Sequence, residues 1–181
     1  MSESSVETAL ISRRGALKIG LCASAFLATA SLGASLSGCS ADTRARGFAV
    51  LRSSDMAFLR ALIPVMLAAS VAANAMPEAT DATLHQLDSN LDHLSPELLK
   101  LTQQLFDVLA MPVTRGPLTG VWGSWEKASP EQIKDFLQRW QNSSLNLLRM
   151  GHGSLLQLVM MSRYERPESW AHCGYPGPPK I

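Results

Sequence analysis

Two segments of this chain share a strong helix-start pattern, which constrains the fold more than any other feature. Each has Ser, Pro and Glu in succession, at Ser95–Glu97 and at Ser129–Glu131. The Ser side chain caps the first turn, Pro suits the first helical position, and the acid offsets the positive end of the helix dipole. Apolar residues follow each start at the i, i+3, i+4 spacing of a helix with one buried face. They are Leu98, Leu101, Leu105, Phe106 and Leu109 after the first start, and Ile133, Phe136, Leu137 and Trp140 after the second.

Three further segments also have helical spacing. The first begins at the cap candidates Ser53, Ser54 and Asp55 and contains Pro64, which is predicted to kink or divide that helix. The second runs from about Thr80 to Leu94, with its leucines on one stripe. The third runs from Ser143 or Ser144 to Tyr164.

No run of alternating, β-branched residues predicts a strand. The sequence therefore predicts an all-α fold. We expect a single small helical domain of about five or six helices, residues 53–181, with an irregular Pro/Gly-rich tail from about residue 165.

A Gly- and Pro-interrupted stretch, residues 112–128, separates the two Ser-Pro-Glu helices and is predicted to be a loop. It contains Trp122 and Trp125, which are candidates for partner binding because large aromatic side chains dominate interface energetics. Trp140, in contrast, follows the apolar face of its helix and is predicted to lie in the core. The methionines of the last helix, Met150, Met160 and Met161, are also predicted to fill the core.

The N-terminal region has the features of an export signal followed by a lipid anchor. Arg13 and Arg14, after Ser12 and before Leu17-Lys18, resemble a twin-arginine motif, which directs folded proteins across the bacterial inner membrane. An uncharged run rich in small residues then leads to Leu36-Ser37-Gly38-Cys39, which resembles a lipobox. We therefore predict a signal peptide at residues 1–38, lipidation of Cys39, a polar tether at residues 39–52, and a location on the periplasmic side of a membrane.

Charge and cysteine content narrow the possible partners. The chain has 16 Lys and Arg against 15 Asp and Glu, and residues 1–38 contain three of the basic and two of the acidic residues. The predicted domain is thus neutral, which gives no reason to expect nucleic acid as a partner.

The chain has three cysteines. If removal of residues 1–38 takes away Cys22, and Cys39 carries lipid, Cys173 is the one remaining thiol and an intramolecular disulfide is not expected.

The C-terminal sequence is the part that resembles a known family. The quotable motif lies in residues 129–179 and ends in Pro167-Glu168-Ser169-Trp170-Ala171-His172-Cys173-Gly174-Tyr175-Pro176-Gly177-Pro178-Pro179. It resembles the small subunit of bacterial membrane-associated glucose-methanol-choline flavin dehydrogenases, related to gluconate 2-dehydrogenase subunit 3. Many of these small subunits lack a lipobox, whereas Leu36-Ser37-Gly38-Cys39 of this chain resembles one.

This resemblance implies a role and a set of partners. It implies a non-catalytic helical subunit that escorts a folded flavin-dependent alcohol or sugar dehydrogenase through the twin-arginine translocon, with FAD bound in that partner and no cofactor in this chain. A Pro/Gly tail must gain its order from packing on its own domain or on a partner. Partner binding is therefore predicted for Trp170, Tyr175, Pro176 and Pro178, with packing of the tail on its own domain as the open alternative.

No catalytic or metal-binding pattern is predicted. His85, His93, His152 and His172 are scattered and fit no metal-ligand spacing. Asp88 and Asp92, one helical turn apart, are interpreted as like-charged neighbours on a solvated face. The alternative functions are a free-standing periplasmic lipoprotein with a structural or binding role and, more remotely, a cofactor-free enzyme.

Overall fold

The computed structural model describes residues 43–177, and within them all regular secondary structure is helical. The seven α-helices are α1 (Ser53–Leu67), α2 (Met76–Asp92), α3 (Pro96–Ala110), α4 (Pro112–Thr119), α5 (Pro130–Gln141), α6 (Asn146–Tyr164) and α7 (Trp170–Cys173). Short 3-10 turns lie at Ala73–Ala75, Trp125–Lys127 and Pro167–Ser169. The predicted all-α class is confirmed. Among these helices, none has both the length and the apolar character that crossing a bilayer requires.

Helix α1 is the centre of the fold. It packs against α2, α3, α5 and α6, and Phe58, Leu62 and Ile63 on it are almost fully buried. Pro64 does not divide α1, because it lies in the last turn and costs only the hydrogen bond to the Arg60 carbonyl. Burial of Leu67 after it holds that turn in place.

A continuous row of aromatic rings crosses the core. Its order is Phe106, Phe58, Trp125, Phe136 and Trp140, with successive ring centroids 5.2, 6.3, 5.9 and 5.0 Å apart. Most pairs meet edge to face, the arrangement that the ring quadrupole favours. The row joins α3, α1, the 3-10 turn before α5, and α5 into one core. Trp140 is thus a core residue, as predicted.

The segment predicted as a loop is partly helical and supplies a core residue. Residues 112–119 form α4, with Pro112 in the first turn and Gly120 ending the helix in the left-handed conformation at φ 78°. Trp125 is 2% exposed, and its indole N–H donates to the Leu109 carbonyl at 2.8 Å. Its assignment as a partner-binding candidate is therefore wrong, whereas Trp122 is 76% exposed.

Helix α2 begins earlier than predicted, at Met76 rather than near Thr80. Pro77 lies in its first turn, which a proline tolerates because the missing N–H has no helical partner there. The Thr80 side chain does not cap the helix; its hydroxyl donates to the Met76 carbonyl at 2.8 Å. The predicted leucine stripe is the buried face of α2, formed by Leu84, Leu87 and Leu91.

The described part of the predicted tether is packed on the body of the domain. Leu51 is 1% exposed, and the backbone closes on itself through bonds from the Ala45 N–H to the Leu51 carbonyl and from the Ser53 N–H to the Thr43 carbonyl. Phe48 stacks on His85 with ring centroids 4.7 Å apart. The folded body therefore begins before residue 53, because this segment buries apolar side chains despite its polar composition.

Asp88 holds that segment in place. Its carboxylate accepts three backbone hydrogen bonds, from the N–H groups of Ala49 at 2.7 Å, Val50 at 2.9 Å and Leu51 at 2.8 Å. The side chain is buried, so the prediction of a solvated Asp88 is wrong, whereas Asp92 is exposed. Three N–H donors replace the water that a buried carboxylate loses.

Arg52 links the same segment to α3. Its guanidinium pairs with Asp55, at 2.9 Å to Oδ1, and with Asp107, at 2.7 Å. Arg52 and Asp55 are both buried, while the Asp107 carboxylate is partly exposed. A buried cation between two carboxylates joins the chain before α1 to the C-terminal half of α3.

Candidate protein-binding surfaces

The first candidate surface is the C-terminal tail, residues 170–177. The indole N–H of Trp170 donates to the Tyr164 carbonyl at 2.9 Å, and the ring meets Tyr175 edge to face at 5.3 Å. The Tyr175 N–H donates to the Trp170 carbonyl at 3.0 Å, and a Cβ added to Gly177 would lie 3.1 Å from the Trp170 ring. The tail thus folds back on Trp170, which is itself bonded to the last residue of α6.

This packing leaves part of the tail available to a partner. The Tyr175 side chain is 48% exposed and Pro176 is exposed, so a rigid aromatic-proline surface faces solvent. Trp170 itself is only partly exposed, because it forms the base on which Tyr175 rests. Of the four predicted partner-binding residues, these three lie together, and Pro178 lies outside the described residues.

The turn at the start of the tail, residues 166–169, contains an ion pair. Arg166 contacts Glu168 at 2.9 Å, and the Arg166 carbonyl accepts from both the N–H and the hydroxyl of Ser169. The pKa of Glu168 is lowered, first by the hydrogen bond from its own backbone N–H and then by the charge of Arg166. Cys173 has an exposed thiol that contacts the Trp170 carbonyl at 3.2 Å, with no histidine among its hydrogen-bonding partners.

The second candidate surface is an uncharged face on α6. Five exposed positions along this helix lie on one side of it, spaced three or four residues apart. They are Leu147, Met150, Ser154, Gln157 and Met161. The leucine is 77% exposed and the two methionines 60% and 52%, so the prediction that Met150 and Met161 fill the core is wrong, whereas Met160 packs against the core. We call this set the α6 stripe.

A groove of about 460 Å³ lies between the α6 stripe and α3. Leu98 and Thr102 line its α3 side, and Leu158 and Met161 line its α6 side. Further along, Leu105 lies 3.5 Å from a Cβ built on Gly151, so the two helices run antiparallel. The groove stays open because α3 and α6 have few direct contacts.

The apolar residues of α3 divide between two faces. Phe106 and Leu109 are buried as predicted, but Leu98 is 53% and Leu101 61% exposed. The sequence spacing places these four residues on one wide apolar side of the helix. The packing of α3 shows that its first turns extend beyond the core. An exposed apolar patch of this kind is typical of an interaction site.

The histidines differ in their surroundings, and His172 is exposed on α7. His85 stacks on Phe48, and His93 Nδ1 lies 2.7 Å from the Ser89 carbonyl. Burial lowers the pKa of His152 below its ordinary value, because desolvation disfavours the charged ring. Among residues 43–177, no three His, Cys, Asp or Glu side chains are grouped so that they could hold a metal ion.

The remaining predicted site residues, Arg13, Arg14 and Cys39, lie outside the described residues. What the structure defines is a small all-α domain with an ordered aromatic tail and an uncharged apolar face. Comparison of the chain with protein-family models, with curated proteins and with solved structures gave no match. The resemblance stated above therefore remains a proposal.

Proposed function

We propose that this chain is a non-catalytic, exported and lipid-anchored small subunit that escorts a folded flavin-dependent alcohol or sugar dehydrogenase. FAD belongs to that partner in this proposal, and the lipid on Cys39 holds the complex at the periplasmic side of a membrane. The Arg13-Arg14 motif supplies the export route for both chains, since a route for folded cargo preserves a bound cofactor.

One observation carries the proposal: the tail that resembles the small-subunit motif is ordered, and it presents aromatic surface. Trp170 connects the tail to the end of α6, because its indole N–H donates to the Tyr164 carbonyl and its ring contacts Tyr175. Tyr175 and Pro176 are exposed next to each other on this tail. A rigid aromatic group loses little conformational entropy on binding, which is why such residues often dominate interface energetics.

Deletion of this chain tests the escort role. We expect the flavin dehydrogenase to stay in the cytoplasm, with its FAD bound, when it is expressed without this subunit. Cell fractionation with flavin fluorescence and activity in each fraction measures this. Substitution of Arg13 and Arg14 by lysine in the otherwise intact chain is the matched control, and it should retain the complex in the cytoplasm. Normal export of the dehydrogenase without this chain would contradict the proposal.

The tail surface has its own prediction. Tyr175→Ala should weaken association with the dehydrogenase by about tenfold or more, because it removes the exposed ring and leaves the Trp170 hydrogen bond in place. Binding of the purified subunits by calorimetry measures the change. Val113→Ala, which shortens an exposed apolar side chain on α4, is the control and should leave the affinity unchanged. Equal loss of affinity in both variants would show that the tail has no special role.

A further inference from the structure

We propose that the α6 stripe is a self-association surface, and that two copies of this chain pack their α6 helices antiparallel across it. The inference is independent of the dehydrogenase, because both partner surfaces are present in the one chain. It rests on the shape of the stripe, on its register, and on the charges at its two ends.

The middle of the stripe is narrow and its ends are bulky. Ser154 lies at the centre, and Gly153 beside it is exposed, with nothing within 4 Å of an added Cβ. Two helices can therefore approach each other closely at this point. Leu147 and Met161 lie seven residues before and after Ser154, about 10 Å away on either side at the rise of an α-helix.

A two-fold axis beside Ser154 and perpendicular to α6 brings matching features together. It places Leu147 of one copy opposite Met161 of the other, and Met150 opposite Leu158. Leu158 and Met161 line the groove beside α3. Leu147, the most exposed side chain of the stripe, therefore meets the open groove of the second copy, and the exposed side chains of Leu147, Met150 and Met161 each gain an apolar partner there.

The charges at the ends fit the same register. The axis places Glu165, which lines one end of the groove, opposite residue 143 of the other copy, beside the start of α6. No side chain caps that helix start, so its N–H groups offer positive partial charge. Between the two ends the stripe carries no charge. A second copy is thus attracted at both ends and meets no like-charge repulsion between them.

Cysteine cross-linking tests the register directly. Ser154→Cys in the full chain, with Cys22, Cys39 and Cys173 replaced by Ser so that no native thiol remains, places two cysteines side by side at the proposed axis. Under mild oxidation we expect most of the chain to run as a covalent dimer on a non-reducing gel. Leu156→Cys in the same background, on the other flank of α6 and 39% exposed, should not be cross-linked and should run as a monomer on that gel, as should the cysteine-free parent. Equal cross-linking of both cysteine variants would overturn the proposal.

Sedimentation of the purified full chain gives the second test. We expect a dimer that Leu147→Ser weakens by about tenfold or more. Because Leu147 is 77% exposed, this change should leave the helical content and melting temperature unaltered. Leu156→Ser is the matched control and should not change the dimer. A monomer at tens of micromolar, or a dimer insensitive to Leu147→Ser, would overturn the proposal.

Discussion

Trp125→Ala is expected to destabilise the domain by about 3–5 kcal/mol, the largest effect of any single change considered in this protein. Trp125 is 2% exposed and lies in the middle of the aromatic row, between Phe58 and Phe136. Removal of the indole leaves a cavity in the core. It also leaves the Leu109 carbonyl, at the end of α3, without its donor. Chemical denaturation followed by circular dichroism measures the loss.

Two further variants separate the contributions to this loss. Trp125→Phe keeps much of the ring volume but removes the N–H donor, so we expect a smaller destabilisation of about 1–3 kcal/mol. Trp122→Ala removes a ring that is 76% exposed and should change the free energy of unfolding by less than about 0.5 kcal/mol. Equal effects of Trp122→Ala and Trp125→Ala would contradict the buried position of Trp125.

The sequence predicted the helical elements well because their signals are local. Ser95 and Ser129 both accept from the third residue of their helices, as the Ser-Pro-Glu pattern requires. At Ser129 the capping is reciprocal, since the Gln132 side chain also accepts from the Ser129 N–H. Each cap lies within four residues of its partner, so a short window of sequence contains the whole signal.

The sequence could not assign buried and exposed sides of a wide apolar sector. Met150 and Met161 are predicted to be core residues because apolar residues flank them, yet they lie on the exposed side of α6. Trp122 and Trp125, three residues apart in an irregular segment, have opposite surroundings for which spacing gives no signal. Burial at these positions depends on which other helices are present, which is a property of the tertiary packing.

The same limit applies to polar residues with distant partners. Asp88 and Asp92 are chemically alike and one helical turn apart, so the pattern treats them equally. The partners of Asp88 lie 37–39 residues earlier in the chain, in a segment whose composition resembles a tether. The sequence near Asp88 therefore contains no signal that its carboxylate binds the segment before α1.

Asp88→Ala is expected to destabilise the domain by about 3 kcal/mol. The change leaves the N–H groups of Ala49, Val50 and Leu51 without their acceptor, and hydrogen bonds to a charged group contribute more than neutral ones. Because this carboxylate holds the segment before α1, the backbone amides of that segment should be the first to lose protection from hydrogen exchange. Native-state hydrogen exchange at these three amides, together with denaturant unfolding, measures both effects.

Two matched variants decide whether the geometry of the Asp88 carboxylate matters. Asp88→Asn keeps one acceptor oxygen, which is enough for the N–H groups of Val50 and Leu51. Its NH2 group, a donor, then faces the Ala49 N–H, which needs an acceptor. We therefore expect a smaller loss of unfolding free energy than for Asp88→Ala. Of the three backbone amides, that of Ala49 should exchange fastest. Asp92→Ala removes the neighbouring exposed carboxylate and should stay within about 0.5 kcal/mol of the parent. Equal costs of Asp92→Ala and Asp88→Ala would contradict the role of the three hydrogen bonds, because all three are accepted by Asp88.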